Sequence, residues 1–548
     1  MPIRLAEPAP EAYSYPLLIK HLLHTPLATA PHQEIVYRDR SRYTYRDLRR
    51  RIARLAAGLR SLGVEAGTTV AVMDWDSHRY LECFFAIPMM GAVLQTVNVR
   101  LSPSQVAYTL QHAGAEVILA HRDFLPMLAG IRSQLPGVRE VVLIDDDMAV
   151  QATPSWIVTD YELLLQSAHM GFEFEDFDEN AVATTFYTTG TTGDPKCVCF
   201  SHRQLVLHTL AILAAGGGSA HGQSFRQGDV YMPMTPMFHV HAWGNPYAAT
   251  VLGVKQVYPG RYNPSELLAL RARESVTFSH CVPTILQMLL AKASETDEDL
   301  RGWKICIGGS ALPEALARQA LSLGVDVYAG YGMSETGPVV AVSRLAEPAG
   351  TLPVEKELQQ RCRAGFQVPL VDLKLIDADG LEVPPGSRST GEIVLRAPWL
   401  TPCYVDNPEA STELWRGGYL HTQDVARIDS SGCLQITDRI KDVIKTGGEW
   451  ISSLQLENLI SLHACVAEVA VVAIRDVRWG ERPHAIVVPR THCVGQLTAE
   501  AIQSHVAAAA AVGTVPLYAV PERVTFVDSL ERTSVGKINK RLLRERFA

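Results

Sequence analysis

Ten residues stand out in this chain: Tyr187-Thr188-Thr189-Gly190-Thr191-Thr192-Gly193-Asp194-Pro195-Lys196. Glycine allows tight turns and lets backbone N–H groups approach an anion, while hydroxyls and a lysine add donors and positive charge. The composition therefore predicts a loop that binds a polyphosphate. A Gly/Thr-rich surface turn without a ligand is the alternative interpretation.

The spacing of this loop differs from the Walker pattern G-x-x-x-x-G-K-[ST]. Asp194-Pro195 separates the last glycine from Lys196, and Cys197 follows the lysine. A mixed, strand-like run at residues 180–186 precedes the loop. The pattern indicates a phosphate loop of another kind.

Length and composition indicate a soluble enzyme with several domains. At 548 residues the chain exceeds one typical core, and 47% apolar with 20% charged residues is ordinary for a globular protein. The net charge of −8 argues against nonspecific nucleic-acid binding. Arg49, Arg50, Arg51 and Arg54 lie opposite Leu48 on a helical period, which predicts a solvated helix face rather than a nucleic-acid site.

The cysteine pattern and the opening residues favour a cytoplasmic protein. The ten cysteines show no C-x-x-C pair and no even, clustered spacing, which predicts reduced thiols that act as small apolar residues. A structural disulfide or a zinc site is the less favoured alternative. The first residues lack a basic-then-apolar signal pattern, and no apolar run has membrane-spanning length. We therefore expect no integral membrane segment.

Strand-like and helical patterns alternate through most of the chain. Residues 69–73 read as a strand before a helical stretch at 80–90, and this spacing favours βαβ units with parallel sheets. A charged segment at 437–442 precedes a compact unit of roughly a hundred residues, and a short polar linker of this kind suits a hinge. The sequence predicts an α/β fold: a large N-terminal domain (1–438) of helix-covered βαβ sheets with a β-rich subdomain at about 365–437, a hinge (439–445) and a small mobile α+β C-terminal domain (446–548).

Six further motifs follow the phosphate loop or lie near the end of the chain. They are Gly308-Gly309-Ser310, Tyr331-Gly332-Met333-Ser334-Glu335-Thr336, Tyr419-Leu420-His421-Thr422-Gln423-Asp424, Asp438-Arg439-Ile440-Lys441-Asp442, Gly447-Gly448-Glu449-Trp450-Ile451-Ser452 and Arg532-Thr533-Ser534-Val535-Gly536-Lys537. In this order they resemble the core motifs of the adenylate-forming (AMP-binding) superfamily of acyl-CoA synthetases, adenylation domains and luciferases, over nearly the whole chain. The run Met237-Phe238-His239-Val240-His241-Ala242-Trp243-Gly244 most resembles bacterial medium- and long-chain fatty-acyl-CoA ligases and methylmercaptopropionate-CoA ligases.

The resemblance implies an AMP-forming acyl-CoA ligase that uses ATP, Mg²⁺ and coenzyme A. A carboxylate attacks the α-phosphate of ATP to give an acyl-adenylate and pyrophosphate, and the CoA thiolate then displaces AMP. Because the first step gathers several negative charges, positioning and charge compensation should dominate catalysis. The implied partners are a medium- or long-chain fatty acid or a substituted acid such as methylmercaptopropionate, ATP and CoA, with no nucleic acid. A homodimer is one candidate assembly.

The resemblance also assigns residues by their motif positions. Those expected to bind ATP or AMP are Thr188, Thr189, Gly190, Thr191, Thr192, Gly193, Lys196, Gly309, Ser310, Gly330, Tyr331, Gly332, Met333, Ser334, Asp424, Arg439 and Lys537. Those expected to contact the acyl group are His239, Val240, Trp243, Gly309 and Gly330. The expected catalytic residues are Lys537, Glu335, His239 and Thr188, of which Thr188 and Glu335 would hold Mg²⁺. Lys441 matches the hinge, and Gly447, Gly448 and Trp450 match the CoA tunnel.

Several of these residues have ordinary structural interpretations when taken alone. Glu335 could be a surface acid at a helix start, Tyr331 a core aromatic and His239 a satisfied core histidine. Two positions depart from the family pattern: Cys197 stands where a glycine usually follows the loop lysine, and Glu531 where a proline often precedes the Arg-Thr pair. Neither change removes a reacting group.

Two other functions compete with the CoA ligase. A carrier-protein-directed acyl ligase, or another stand-alone adenylating enzyme, would use the same motifs, and the thiol acceptor distinguishes it. A non-catalytic nucleotide-binding protein would not need Lys537, Glu335 and the phosphate loop together. The specific acid, its length and the pathway do not follow from the sequence.

Overall fold

The protein is represented by a computed structural model that describes residues 3–147, 154–169, 171–188, 194–218, 223–387, 389–447, 449–533 and 536–547. Four β-sheets organise these residues: one of nine strands, one of seven and two of five. Helices connect many consecutive strands and cover the sheets. The predicted α/β class is confirmed.

The secondary-structure elements alternate along most of the chain. The strands are β1 (Glu34–Tyr37), β2 (Ser41–Thr44), β3 (Thr69–Met73), β4 (Val93–Thr96), β5 (Ala115–His121), β6 (Glu140–Ile144), β7 (Thr159–Asp160), β8 (Val182–Thr188), β9 (Lys196–Ser201), β10 (Val230–Pro233), β11 (Lys255–Tyr258), β12 (Phe278–Cys281), β13 (Lys304–Ile307), β14 (Asp326–Gly332), β15 (Val339–Val342), β16 (Phe366–Gln367), β17 (Asp372–Ile376), β18 (Glu382–Val383), β19 (Gly391–Arg396), β20 (Leu420–Ile428), β21 (Leu434–Arg439), β22 (Ile444–Thr446), β23 (Glu449–Ile451), β24 (Val466–Asp476), β25 (Gly480–Pro489) and β26 (Arg523–Phe526). The α-helices are His24–Thr29, Tyr45–Ser61, His78–Met89, Pro103–His112, Leu125–Ile131, Tyr161–Ser167, His202–Gly217, Asn245–Leu252, Pro264–Glu274, Pro283–Thr296, Glu314–Ser322, Val354–Cys362, Pro408–Leu414, Ser453–Ser461, Ala499–Ala511 and Lys540–Phe547. Within the described ranges, no helix combines the length and apolar content needed to span a bilayer.

Two largely parallel sheets form the main body. The nine-stranded sheet has the order β16-β15-β14-β13-β12-β10-β11-β1-β2, and the seven-stranded sheet has the order β7-β6-β5-β3-β4-β8-β9. Interior neighbours such as β12, β13 and β14 run parallel, whereas β2, β9, β15 and β16 are antiparallel to their neighbours. Strand β3 is buried throughout, as expected for a strand covered on both faces.

In the sequence, Thr44 with Asp47 predicts a capping-box-like helix start, and the helix Tyr45–Ser61 begins there. The Thr44 hydroxyl accepts from the Asp47 N–H, and the Asp47 carboxylate accepts from the Thr44 N–H. The prediction of a solvated arginine face is wrong for Arg51, whose Nε donates to the buried Glu82 carboxylate at 2.6 Å. The helix period showed which face was polar, but it could not show that another helix would supply a carboxylate to that face.

The last two sheets correspond to the β-rich segment and the C-terminal unit. Strands β17 to β21 form an antiparallel sheet over 372–439, and β22 to β26 form a separate sheet. A tight turn joins them: the N–H groups of Asp442 and Val443 donate to the Arg439 carbonyl at 2.8 and 2.9 Å. This turn lies within the predicted hinge, and rotation about it stays a prediction.

The expectation that all cysteines are free thiols is wrong for one pair. Cys465 and Cys493 form a disulfide with Cα atoms 5.5 Å apart, across a sequence separation of 28. Cys465 precedes β24 and Cys493 follows β25, and these strands pair antiparallel, so their distant ends meet. Spacing along the chain could not reveal this contact. The other eight cysteines are free.

Candidate active site

The predicted phosphate loop connects β8 to β9. These strands pair antiparallel, with Thr188 opposite Lys196 at the mouth of the loop. Thr189, Gly190, Thr191, Thr192 and Gly193 lie outside the described residues. The Lys196 ammonium lies 4.7 Å from the centre of the Tyr404 ring. The strand pair therefore holds the hydroxyl and the ammonium at the two ends of the loop side by side.

Glu335 lies against the same tyrosine. The Tyr404 hydroxyl donates to Glu335 Oε1 at 2.6 Å, and the Thr401 N–H donates to the Glu335 carbonyl at 2.9 Å. Glu335 is only 6% exposed, and a buried carboxylate needs such partners. The remaining carboxylate oxygen is the kind of ligand that Mg²⁺ prefers, and this ion takes few protein ligands beside phosphate oxygens. Glu335 thus fits the predicted role and that of Thr188 stays a prediction, although no larger cluster of metal-ligating side chains occurs in the described part of the chain.

Tyr331, Asp424 and Arg439 come together from three distant segments. The Tyr331 hydroxyl donates to Asp424 Oδ2 at 2.8 Å, and Arg439 Nε donates to Asp424 Oδ1 at 2.9 Å. Burial, and next the charge of Asp424, raise the pKa of Tyr331 well above its ordinary value, so the phenol stays a neutral donor. Gly332 follows directly, and a Cβ there would lie 1.8 Å from the Pro338 carbonyl oxygen. These residues were predicted for the nucleotide site, and the structure brings them together.

Lys537 reaches the main body from the C-terminal unit. A Cβ at Gly309 would lie 3.0 Å from Lys537 Cε and 3.6 Å from its Nζ. The Thr284 hydroxyl donates to the carbonyl of the adjacent Gly536 at 3.3 Å. The lysine therefore contacts one of the glycines predicted to border both the nucleotide and the acyl group. A larger residue at 309 would displace it.

The surroundings of Lys537 make its charge costly. Loss of hydration, and next the nearby Arg439 guanidinium, lower the pKa of Lys537 to about 8, while Asp424 and Glu335 oppose this change. The side chain is therefore mostly protonated at neutral pH. An ammonium that is poorly hydrated at this position is well suited to bind an anionic ligand.

His239 lies close to the same lysine and is uncharged. Burial lowers the pKa of His239 to about 3, and the neighbouring charges of Lys537 and Arg100 act in the same direction. A neutral imidazole can donate or accept a hydrogen bond but supplies no fixed positive charge. Its contact with the acyl group stays a prediction.

The residues after His239 follow an unusual backbone path. The φ angles of the four residues Val240, His241, Ala242 and Trp243 lie between 46° and 60°, and Gly244 follows at 73°. The turn is held by His241, whose Nε2 lies 2.7 Å from the Thr184 hydroxyl. It delivers Trp243 to the nine-stranded sheet, where the indole Cη2 lies 2.9 Å from the position of a Cβ on Gly308.

The remaining predicted residues differ in their surroundings. Gly330 lies over Cys306, since a Cβ there would lie 3.1 Å from its sulfur. Met333 precedes a short 3-10 turn that starts at Ser334, and Ser310 is exposed. Lys441 lies exposed in the hinge turn.

Two of the residues predicted for the CoA tunnel, Gly447 and Trp450, belong to the β22–β23 hairpin. Trp450 is half exposed, and the Gly447 N–H donates to the Trp479 carbonyl at 2.7 Å. Gly448 lies outside the described residues. The element of the C-terminal unit that contacts Gly309 is the Lys537 loop, not this hairpin.

Sequence reasoning missed Tyr404. This residue joins the phosphate-loop lysine to Glu335, through a ring contact with Lys196 and a hydrogen bond to the carboxylate. It lies in an irregular segment after β19, and no spacing in the chain singles it out. An isolated bridge between Tyr404 and Val198 of β9 also fixes the backbone of this segment at the site.

Comparison with known proteins agrees with this geometry. Residues 23–405 match the family described as AMP-binding enzyme, and residues 455–537 match the AMP-binding enzyme C-terminal domain. The chain belongs to the AMP-binding enzyme family. The family prediction made from the motifs is confirmed, and the Lys537 contact joins the two matched regions of this AMP-binding enzyme.

Individual relatives of this AMP-binding enzyme cover almost its whole length. It is 40% identical to a long-chain-fatty-acid–CoA ligase of Thermus thermophilus over 509 residues, which span 92% of this chain and 90% of that protein. It is 36% identical to a 3-methylmercaptopropionyl-CoA ligase of Ruegeria pomeroyi, with 90% of each chain covered. The fold resembles the anthranilate CoA ligase AuaEII in complex with anthranoyl-AMP, with a TM-score of 0.84, 24% identity and coverage of 97% of this chain and 98% of the other.

Proposed function

We propose that this AMP-binding enzyme is an AMP-forming acyl-CoA ligase, an acid–thiol ligase acting on a medium- or long-chain fatty acid or a substituted acid such as methylmercaptopropionate. The observation that carries the proposal is the position of Lys537 beside Gly309, close to Glu335, Asp424 and Arg439. One lysine from the C-terminal unit thereby meets the residues predicted for the nucleotide and the metal. The relatives named as CoA ligases at 36–40% identity support the same class.

The first half-reaction joins two anions, and the site supplies positive charge for both. A carboxylate oxygen attacks the α-phosphorus of ATP, the bond to the bridging oxygen breaks and pyrophosphate leaves. Lys537 provides an ammonium between the acyl and nucleotide sides, and Lys196 provides another at the phosphate loop. Mg²⁺, bound by Glu335 and Thr188, would neutralise phosphate charge.

The nucleotide is oriented by a preformed set of donors and acceptors. The Asp424 carboxylate suits the ribose hydroxyls, since carboxylate oxygens only accept hydrogen bonds at neutral pH. Arg439 Nε donates to that carboxylate and holds it in place, and the Tyr331 ring offers a face for the adenine. In the second half-reaction the CoA thiolate attacks the acyl carbon and AMP leaves with the bonding pair. The hinge at Lys441 would bring Gly447, Gly448 and Trp450 to the site for this step.

A screen of AMP release tests this proposal. Acids from short to long, with thioether and aromatic acids included, are incubated with ATP and Mg²⁺ and with CoA, pantetheine or a phosphopantetheinylated carrier protein. We expect acid-dependent AMP release that requires CoA. Release with the carrier protein but not with CoA would favour the carrier-directed ligase, and absence of release with every acid and thiol would refute the proposal.

Location and assembly stay predictions. The eight free cysteines favour the proposed cytoplasmic location, whereas the Cys465–Cys493 disulfide is the kind of bond that oxidising compartments support. The proposed homodimer is tested by light scattering on the purified chain, which gives the mass of the particle directly.

A further inference from the structure

A buried histidine packs against the indole of Trp243. The rings of Trp243 and His280 lie 4.9 Å apart at an interplanar angle of 38°. His280 belongs to β12, on the face of the nine-stranded sheet that also carries Tyr231 of β10. Its relative exposure is 0%, so the indole and the sheet cover it completely.

His280 is fixed in orientation by two hydrogen bonds. Its Nε2 lies 2.9 Å from the Tyr231 hydroxyl, and its Nδ1 lies 3.2 Å from the Thr235 hydroxyl. Burial lowers the pKa of His280 to about 3, so the ring is neutral and carries one donor and one acceptor nitrogen. Rotation of the ring would break both hydrogen bonds inside the protein, where no water replaces them.

The benzene edge of the indole lies against the backbone at Gly308. Trp243 Cη2 is 2.9 Å from the position of a Cβ on Gly308, and the next residue, Gly309, contacts Lys537. The indole thus occupies the space between the imidazole of His280 and the backbone that borders the reacting carboxylate. The left-handed turn constrains the backbone of Trp243. The orientation of the indole then depends on the side chains that pack against it, of which His280 is one.

We propose that His280 is the positioning residue that holds the Trp243 indole across the acyl pocket and thereby sets which acyl lengths are accepted. The inference rests on the proposed function, because it assigns Trp243 to the wall of the acyl pocket. The sequence singled out Trp243 but not His280, since a histidine in a buried strand carries no local signal. His280 touches no reacting atom, and its effect passes entirely through the indole.

Two substitutions separate the ring from its hydrogen bonds. His280→Ala removes the support of the indole, and His280→Phe keeps a ring of similar size against it. We expect His280→Ala to raise the ratio of kcat/KM for decanoate over butanoate by about tenfold or more, the scale of one or two methylenes in an apolar pocket. His280→Phe should keep most of the native ratio, and the ATP KM should not change in either variant.

A double-mutant cycle tests whether the effect passes through Trp243. In a Trp243→Ala background, His280→Ala should not change the decanoate-to-butanoate ratio of kcat/KM any further. Tyr231→Phe, which keeps all rings and removes one hydrogen bond, should shift the ratio in the same direction by a smaller factor. An unchanged ratio in both His280→Ala and Tyr231→Phe, or independent additive shifts in the cycle, would overturn the inference.

A matched control and a binding assay keep this result distinct from a failure of the proposed function. His202 is an equally buried histidine that accepts from the Ile19 N–H, and His202→Ala should lower stability without altering the ratio. Calorimetry with butanoyl- and decanoyl-sulfamoyladenosine measures the preference without catalysis. If the native protein binds neither analogue and turns over no acid, the proposed function fails. If it does both and the ratio does not respond to His280, only the inference fails.

Discussion

Replacement of Lys537 by methionine tests the central contact of the site. The substitution keeps a long apolar stem and removes the ammonium that lies beside Gly309. We expect acid-dependent ATP–pyrophosphate exchange to fall by about a hundred- to a thousandfold, the usual effect of losing one preorganised donor at developing charge. Thioester formation from supplied acyl-AMP and CoA should be largely retained, because the resemblance to the family assigns this lysine to the adenylation step alone.

The same variant is expected to gain stability. The pKa of Lys537 falls from 10.5 to about 8, which corresponds to a cost of roughly 3 kcal/mol for keeping the charged form in the folded protein. Because the side chain is partly exposed, this figure is an upper limit. The folded protein binds fewer protons than the unfolded chain between pH 8 and 10.5, so wild-type stability rises over that window. The Lys537→Met variant should therefore exceed the wild type in unfolding free energy by the largest amount below pH 8, and this difference should vanish by about pH 10.5.

Activity should follow the same titration. With the free enzyme, kcat/KM for the first half-reaction should decline above about pH 8, and Lys537→Arg should remove that decline because arginine stays charged. Lys540→Met is the matched control: Lys540 pairs with Glu457 at 2.7 Å, so its loss should destabilise the protein and leave the ratio of the two half-reactions unchanged. Equal loss of both half-reactions in Lys537→Met, or lower stability than wild type below pH 8, would refute the reasoning.

Three further predictions concern other parts of the chain. Lys441→Pro restricts φ and removes a backbone donor in the hinge turn, so the rate of one half-reaction should fall much more than that of the other. Pyrophosphate exchange measures the first half-reaction and AMP release from acyl-AMP measures the second. Wild-type rates in both assays would place the pivot elsewhere. Loss of the Cys465–Cys493 disulfide, by Cys465→Ala, should lower the unfolding free energy of the C-terminal unit by about 3 to 4 kcal/mol in denaturant titrations, and an unchanged midpoint would contradict this. Burial lowers the pKa of His208 and His241 to about 3, so the unfolded chain binds more protons than the folded protein between pH 3 and 6.5. The free energy of unfolding should therefore decrease by up to about 5 kcal/mol for each histidine as the pH falls from 6.5 to 3. Urea midpoints that stay constant from pH 6.5 to 4 would contradict this prediction.

The parts of the fold that sequence reasoning predicted are those with local or periodic causes. The capping box at Thr44 marked a helix start, and β3 was recognised from its apolar run. The observed parallel strands also explain why two of the distant motifs meet at one edge of the nine-stranded sheet. Gly308 comes directly after β13, and Gly330 lies near the end of β14, whose Ala329 pairs with Ile307. Parallel strands end at the same edge, so motifs that follow them meet there.

The parts that could not be predicted depend on contacts between distant segments. Tyr404 and Glu335 are separated by 69 residues and belong to no shared pattern, yet their hydrogen bond fixes the predicted metal ligand. The disulfide likewise joins the ends of two paired strands, so its partners became visible only with the strand register. A lone tyrosine or cysteine has the same local signature whether it lies in such a contact or not.

The left-handed turn at Val240–Trp243, which carries residues predicted to contact the acyl group, has a backbone conformation that the sequence did not predict. Each non-glycine residue with positive φ costs roughly 1 to 2 kcal/mol, and a β-branched valine is among the least tolerant of this conformation. Local preference alone would therefore place these residues in another conformation. The turn persists because tertiary contacts, such as that of His241 with Thr184, outweigh the local cost. Strain of this kind is retained where the position of one side chain matters more than stability, and here that side chain is the Trp243 indole beside Gly308.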